Sequence, residues 1–290
     1  MLAVSGREGS ARADPWRRQG NRVSPAPWPV LVRRGAIDRR PRPVGGDFAD
    51  QAVPRFPVPP ALAREFGVYC ADTSERVVAL TYDDGPHPEH TPRLLDVLAA
   101  TGATATFFVL GQQVEKHPDV VRRIVADGHE IGLHGQDHRS LLSVSDREAS
   151  ALIRGAKARV ESVVQTPLRL YRPPYGVHTS GQARAVRRMG LDLVIWSGDA
   201  HDWLHDAESA IADRVVAETF PGGILLLHDH RADPETLRAG EELPRFDRAA
   251  VLDAVLARLS DDGYRTTTVG RLLRDHRPVR SRSRQRRSRQ

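Results

Sequence analysis

Between Arg76 and Val269 the chain switches between two hydrophobic periods, roughly every dozen residues. Arg76–Tyr82 is apolar and β-branched and reads as a strand. Thr91–Ala100 carries Leu94, Leu95, Val97 and Leu98 at helical spacing. The same alternation follows: strand Thr104–Leu110, helix Gln113–Ala126 stopped by Gly128, strand Glu130–Leu133, and a helix from the Ser145–Glu148 capping box to Val164. It goes on through strand Leu168–Tyr171, helix Thr179–Met189, strand Leu191–Trp196 and helix Glu208–Thr219. Strand Gly223–Leu227, helix Arg248–Leu259 and strand Tyr264–Val269 close the series. Strands separated by single helices cannot pair as hairpins, so they form βαβ units and a parallel sheet. About seven such units predict a closed or nearly closed barrel. An open doubly wound sheet is the alternative, but no strand is followed by Gly-x-Gly-x-x-Gly.

The ends differ from this body. Residues 1–62 are dense in Pro, Gly and Arg and lack the apolar content to offset ordering entropy, so they are expected to be disordered. Residues 277–290 carry seven Arg and no acid and read as an Arg/Ser-rich disordered tail. The net charge of +6 divides into +5 over residues 1–50, −6 over 51–276 and +7 over 277–290. A basic tail on an acidic body does not make a nucleic-acid binder, and none is expected as a partner. The single cysteine, Cys70, excludes an intramolecular disulfide framework and a cysteine-rich zinc module. No apolar run approaches the ~20 residues of a spanning helix. The first residues lack a secretory signal, which reads as a cytoplasmic location. A monomer is expected.

In a parallel α/β barrel the chemistry gathers on the loops after the strand C-termini. Those positions here hold Asp83 and Asp84; His134 and His138; Arg172 and Tyr175; Asp199, Asp202 and Trp203; and His228, Asp229 and His230. Adjacent residues leaving a strand point to opposite faces, so Asp83 and Asp84 are expected to do different jobs. Asp-Asp-Gly-Pro is also an ordinary turn sequence. Two histidines four apart lie on one face of a helical turn, and with one Asp they form a two-His, one-carboxylate set suited to a divalent ion. The other reading is two unrelated loop histidines in a chain with 12. Arg172 in Arg-Pro-Pro-Tyr-Gly could hold a carboxylate by a charge-assisted hydrogen bond, or stand in a plain proline turn. His228 leaves an apolar strand and could serve as a general acid, or as a structural histidine.

Taken in order, five segments resemble the motifs of carbohydrate esterase family four, the polysaccharide deacetylases related to nodulation chitooligosaccharide deacetylase. They are Thr81-Tyr82-Asp83-Asp84-Gly85-Pro86, His134-Gly135-Gln136-Asp137-His138, Arg172-Pro173-Pro174-Tyr175, Asp199-Ala200-His201-Asp202-Trp203 and Leu226-Leu227-His228. The resemblance covers about residues 74–275, expected as the catalytic domain. It implies a distorted (β/α)7-type barrel. It also implies a divalent metal on Asp84, His134 and His138, zinc by preference with cobalt or nickel as alternatives. By the same resemblance, Asp83 is the general base, positioned by Arg172. His228 is the acid that protonates the leaving amine, tuned by Asp202. The backbone N–H of Tyr175 helps hold the oxyanion, and Trp203 and Leu226 form the acetyl pocket.

The implied activity is hydrolysis of N-acetyl groups on an amino-sugar glycan. An O-acetyl xylan esterase or a non-sugar amidohydrolase would share these motifs, and a non-catalytic glycan-binding protein would not need base, acid and ligands together. Many relatives act outside the cytoplasm, against the location read from the chain's start. Tyr82 stands where Phe is usual. Gly135 stands where Ser or Thr is common, which puts metal affinity in question.

Overall fold

The structure, a computed structural model, describes residues 30–33, 55–58, 63, 65–231 and 240–281. In chain order the strands are β1 Val30–Arg33, β2 Arg55–Val58, β3 Gly67–Asp72, β4 Val77–Asp83, β5 Thr106–Leu110, β6 Glu130–Gly135, β7 Leu170–Tyr171, β8 Asp192–Leu193, β9 Gly198–Asp199, β10 Ile224–His228, β11 Arg265–Thr267 and β12 Arg277–Ser281. The α-helices are α1 His90–Thr101, α2 Gly111–Lys116, α3 Pro118–Ala126, α4 Asp146–Val164, α5 Ser180–Arg188, α6 Glu208–Ala217, α7 Arg248–Asp261 and α8 Val269–Asp275.

The parallel sheet follows from the alternation. Its strands run β8-β7-β6-β5-β4-β10-β9, every pairing parallel, with β11 added to the first half of β4. β4 lies at the centre and is buried along its whole length, as its unbroken apolar run requires. The sheet curls into an incomplete barrel. β3 spans the opening between its end strands, bridging Val68 to Val194 and Cys70 to Gly223. The helices turn their apolar faces inward. α1, for instance, buries Leu94, Leu95 and Leu98, each worth about 1.5–3 kcal/mol.

Three elements depart from the sequence reading, each for a local reason. The helix expected over Gln113–Ala126 is two helices, because Pro118 disfavours helical backbone at His117, which lies at ψ 54, and starts α3 as its first residue. The strand expected over Leu191–Trp196 is confined to β8, and Gly198–Asp199 pairs separately with β10. The tail expected from Arg277 begins instead with β12, which pairs with β3 on one side and β1 on the other. Val279 is fully buried there, and Arg280 is neutralised by Asp192 at 3.0 Å. An Arg/Ser-rich composition conceals a strand whose last three residues, Val279, Arg280 and Ser281, are all buried. β1 and β2 likewise fall inside the stretch expected to be disordered; the rest of residues 1–62 and residues 282–290 lie outside the described residues.

Candidate active site

β4 and β10 pair in register, which sets His228 beside Asp83 at the carboxyl end of the sheet. The other functional side chains come from the ends of neighbouring strands. Asp84 follows β4, His134 lies on β6 and His138 on the bend after it. Arg172 follows β7, Asp202 and Trp203 follow β9, and Tyr175 lies in the 3-10 turn after Arg172.

The two aspartates do not diverge as alternation predicts. Asp84 has φ 79, in the left-handed region that Asp tolerates better than most residues, and this ends the extended chain. Both carboxylates therefore face His134: its Nε2 lies 3.4 Å from Asp84 Oδ1 and 3.7 Å from Asp83 Oδ2. His138 Nε2 is also 3.4 Å from Asp84 Oδ1. Nor does the histidine pair sit on a helical turn. It is a strand residue and a bend residue, joined through Gly135 at φ 133. A side chain at Gly135 would meet Asp137 O at 3.0 Å in a backbone conformation that L residues rarely adopt. Glycine here serves the reversal that brings His138 back beside His134.

One oxygen of Asp84 and one nitrogen each of His134 and His138 lie within 4.8 Å of one another, so the set fits a divalent ion. The proton arrangement agrees. His134 Nδ1 is 2.8 Å from Arg172 O and must donate to that carbonyl, which leaves Nε2 as a lone pair facing Asp84. Burial opposes charge on Asp84, but in the metal-free protein a protonated His134, whose Nε2 then becomes a donor to Asp84, and the other facing imidazolium charges hold its carboxyl well below the usual range.

Asp83 is clamped. Arg172, fully buried, donates from Nη1 to Asp83 Oδ1 at 2.6 Å and to Thr81 Oγ1 at 2.9 Å. The guanidinium lies over the Phe108 ring at 4.1 Å and near Trp196 at 5.7 Å. Burial lowers its pKa, while the Asp83 charge opposes the loss of its proton. On the adjacent strand His228 Nδ1 donates to Asp202 Oδ1 at 2.6 Å, and its backbone N–H donates to Asp202 Oδ2 at 2.9 Å. Burial disfavours the imidazolium, but the charge of Asp202 and the hydrogen bond to it outweigh that, and His228 is pushed up to about 9.

The structure thus brings Asp83, Asp84, His134, His138 and Arg172 into one cluster and His228 and Asp202 into a second beside it. Tyr175, at φ 59, packs its ring 4.4 Å from that of His138. Leu226 is buried on β10, paired in register with Asp199, and Trp203 is half-buried in the loop after β9. Arg248 was not foreseen. From the first residue of α7 it donates to Asp202 Oδ2 at 3.1 Å and to His228 O at 2.6 Å. Its only signal in the sequence is a charged residue opening an apolar helix, which is ordinary. Thr81, which opens the first motif, and Asp229, which stands at a strand end, also belong to the site's framework, though their partners are not read from the sequence.

A curled parallel sheet with a carboxylate–imidazole set that could hold a metal ion, beside a hydrogen-bonded imidazole–carboxylate pair, points to a class of hydrolase. The sequence profile of the polysaccharide deacetylase family matches residues 71–194. A peptidoglycan-N-acetylglucosamine deacetylase of Bacillus cereus is 36% identical over 203 residues, which is 69% of this chain and 90% of that protein. A chitooligosaccharide deacetylase of Sinorhizobium fredii is 36% identical over 188 residues, 64% of this chain and 87% of that protein. Among solved structures, peptidoglycan deacetylase PdaC from Bacillus subtilis superposes with a TM-score of 0.59 at 32% identity, covering 70% of this chain and 92% of that one. The chain belongs to the polysaccharide deacetylase family, carbohydrate esterase family four, whose members are hydrolases.

Proposed function

We propose that the protein removes N-acetyl groups from an amino-sugar glycan of the peptidoglycan or chitooligosaccharide class, with residues 74–275 as the core of the catalytic unit. The observation that carries this is the placing of two oppositely equipped groups on paired strands: the clamped carboxylate Asp83 on β4 and, in register with it, the protonated imidazole His228 on β10. Hydrolysis of an amide needs both, because water must lose a proton as it attacks and the amine must gain one as it leaves. An ester does not need the second so strongly. The glycan class is supported by the names of the relatives.

Asp83 accepts the proton of the attacking water, with Arg172 fixing the carboxylate by a short charge-assisted bond. A divalent ion held by Asp84, His134 and His138, zinc by the chemistry of two imidazoles and a carboxylate, would supply Lewis-acid polarisation of the acetyl carbonyl and lower the pKa of the water. The Tyr175 N–H donates to the oxyanion. His228 then gives its proton to the nitrogen as the carbon–nitrogen bond breaks, releasing acetate and a free amine, while Asp202 stabilises the imidazolium and Arg248 holds Asp202. Trp203 and Leu226 face the acetyl methyl.

The test is acetate release from N-acetylglucosamine oligomers, with O-acetylated xylan as the control, using metal-stripped and zinc-restored protein. Zinc-dependent release from the amide is expected. Release from the ester alone, or from neither, overturns the reading.

A further inference from the structure

We propose that Asp229 is a positioning residue for the metal ligands, a carboxyl that braces the Asp83–Gly85 turn from behind and fixes Asp84 against the two histidines. The inference rests on the metal-dependent reading of the site. Asp229 follows His228 directly and is 1% exposed. Its contacts join three segments. Its backbone N–H donates to Asp83 O at 3.3 Å, and Oδ2 accepts from Thr91 Oγ1 at 2.6 Å. Its own carbonyl accepts from His90 Nδ1 at 3.2 Å. Thr91 Oγ1 in turn accepts from His87 N at 2.8 Å, so the end of β4, the turn after it and the start of α1 are all tied to β10 through this one residue.

Two features set Asp229 apart from an ordinary helix–strand tie. Its Oδ1 is buried and finds no hydrogen-bond partner among the described residues. A carboxyl half-satisfied in the interior is costly, and a tie to Thr91 alone needs only one acceptor. The second feature is contact with the turn. A Cβ at Gly85 would lie 2.2 Å from both carboxyl oxygens. The turn's backbone therefore rests on the carboxyl, in a slot that admits no side chain. Asp84 is the residue immediately before that contact, and its Oδ1 must stay equidistant, at 3.4 Å, from His134 and His138. Removing the carboxyl opens space under Gly85 into which the turn can relax, and Asp84 moves with it. Groups that orient metal ligands in this way are worth about 10–100-fold in metal affinity or activity.

The experiment measures zinc affinity by chelator competition on the full chain for wild type, Asp229→Ala, Asp229→Asn and Thr91→Val. It also measures kcat and KM for acetate release from N-acetylglucosamine oligomers at saturating zinc. Asp229→Ala is expected to weaken zinc about 10–100-fold and to lower kcat with KM little changed. Asp229→Asn keeps the shape and an oxygen for Thr91, so it is expected within about threefold of wild type. Thr91→Val, which cuts the tie but keeps the helix, is expected to weaken zinc in the same direction by less than Asp229→Ala. A merely structural role would lower thermal stability and leave zinc affinity alone.

Zinc affinity unchanged in both Asp229→Ala and Thr91→Val overturns the proposal. So does a loss in Asp229→Asn as large as in Asp229→Ala. Should Asp229→Ala not fold, Thr91→Val and Asp229→Asn decide by the same criteria. A wild type that releases no acetate while the variants shift zinc affinity overturns the deacetylase reading and leaves the brace standing. Acetate release with unshifted zinc affinity does the reverse.

Discussion

The guanidinium of Arg172 carries three duties at one point: it fixes Asp83, donates to Thr81 Oγ1, and stacks on Phe108. Lysine has the charge but not the fork or the planar face. Arg172→Lys is expected to lower kcat by at least tenfold while zinc content stays at the wild-type level, measured by acetate release and metal analysis. Asp83→Asn keeps the hydrogen bond from Arg172 but cannot take a proton, so turnover should fall by about 10²–10⁴ with metal retained; near wild-type rates would sink the base assignment. The pairing of His228 with Asp202 predicts a pH effect. His228 must be protonated to act as the acid, and Asp202 is what holds it up to about 9. In Asp202→Asn burial is opposed only by the charges of Asp84 and Asp83, the smaller of the raising effects, and the alkaline limb of the kcat profile should move down. Most of these residues were legible because each closes a motif at a strand end. Arg248 was not, since the partner that gives it meaning, Asp202, lies 46 residues away; Asp229 was legible as a strand-end carboxylate, but not its tie to Thr91, 138 residues away.

Local chemistry decided the elements wherever it was strong. The α5 start is a full capping box, Thr179 accepting from Gln182 N at 3.0 Å and Gln182 returning the bond at 3.1 Å. Thr179→Ala should cost about 1 kcal/mol in denaturant unfolding. The break at Pro118 shows the opposite case: helical periodicity ran through it, and one fixed dihedral overrode the pattern. β12 shows a third, where composition misled because its buried residue Val279 is followed by Arg280, whose charge is met by Asp192 from elsewhere in the fold. Removing residues 277–290 takes β12 from between β1 and β3 and should lower the melting temperature by several degrees.

At the scale of the whole molecule the site is a set of buried charges held by a curled sheet, and folding is linked to protons. In the metal-free protein His228 is held at about 9 against an ordinary 6.5, and burial raises Asp229 to about 7 from 3.8, the Thr91 hydrogen bond opposing and the Asp84 charge assisting. Both groups bind their proton more tightly folded than unfolded. The contribution of His228 is fully present below pH 6.5 and is lost as pH rises through about 9. That of Asp229 is present below 3.8 and is lost as pH rises through about 7. Asp84 has the opposite sign, and its contribution fails only in strong acid. Burial holds His87, His90, His129 and His230 below 6.5, so their contribution has the opposite sign and is complete by about pH 7.5. The urea midpoint of the metal-free protein should therefore fall between about pH 7.5 and pH 9, with a shallower fall in Asp202→Asn. A midpoint that rises over that interval would contradict the assignment.

The alternation of periods determined the parallel α/β architecture, because strands divided by helices have no other way to pair, and the ordered motifs placed the chemistry at the strand ends. What the tertiary structure decided is how those ends meet. A left-handed residue at Asp84 turns two consecutive carboxylates toward one imidazole, Gly135 reverses the chain to bring His138 back, and Arg248 and Asp229 enter from remote segments. Periodicity is a property of neighbours along the chain. The clamp, the ligand set and the brace are properties of neighbours in space, fixed only when the sheet has curled and β4 and β10 lie in register.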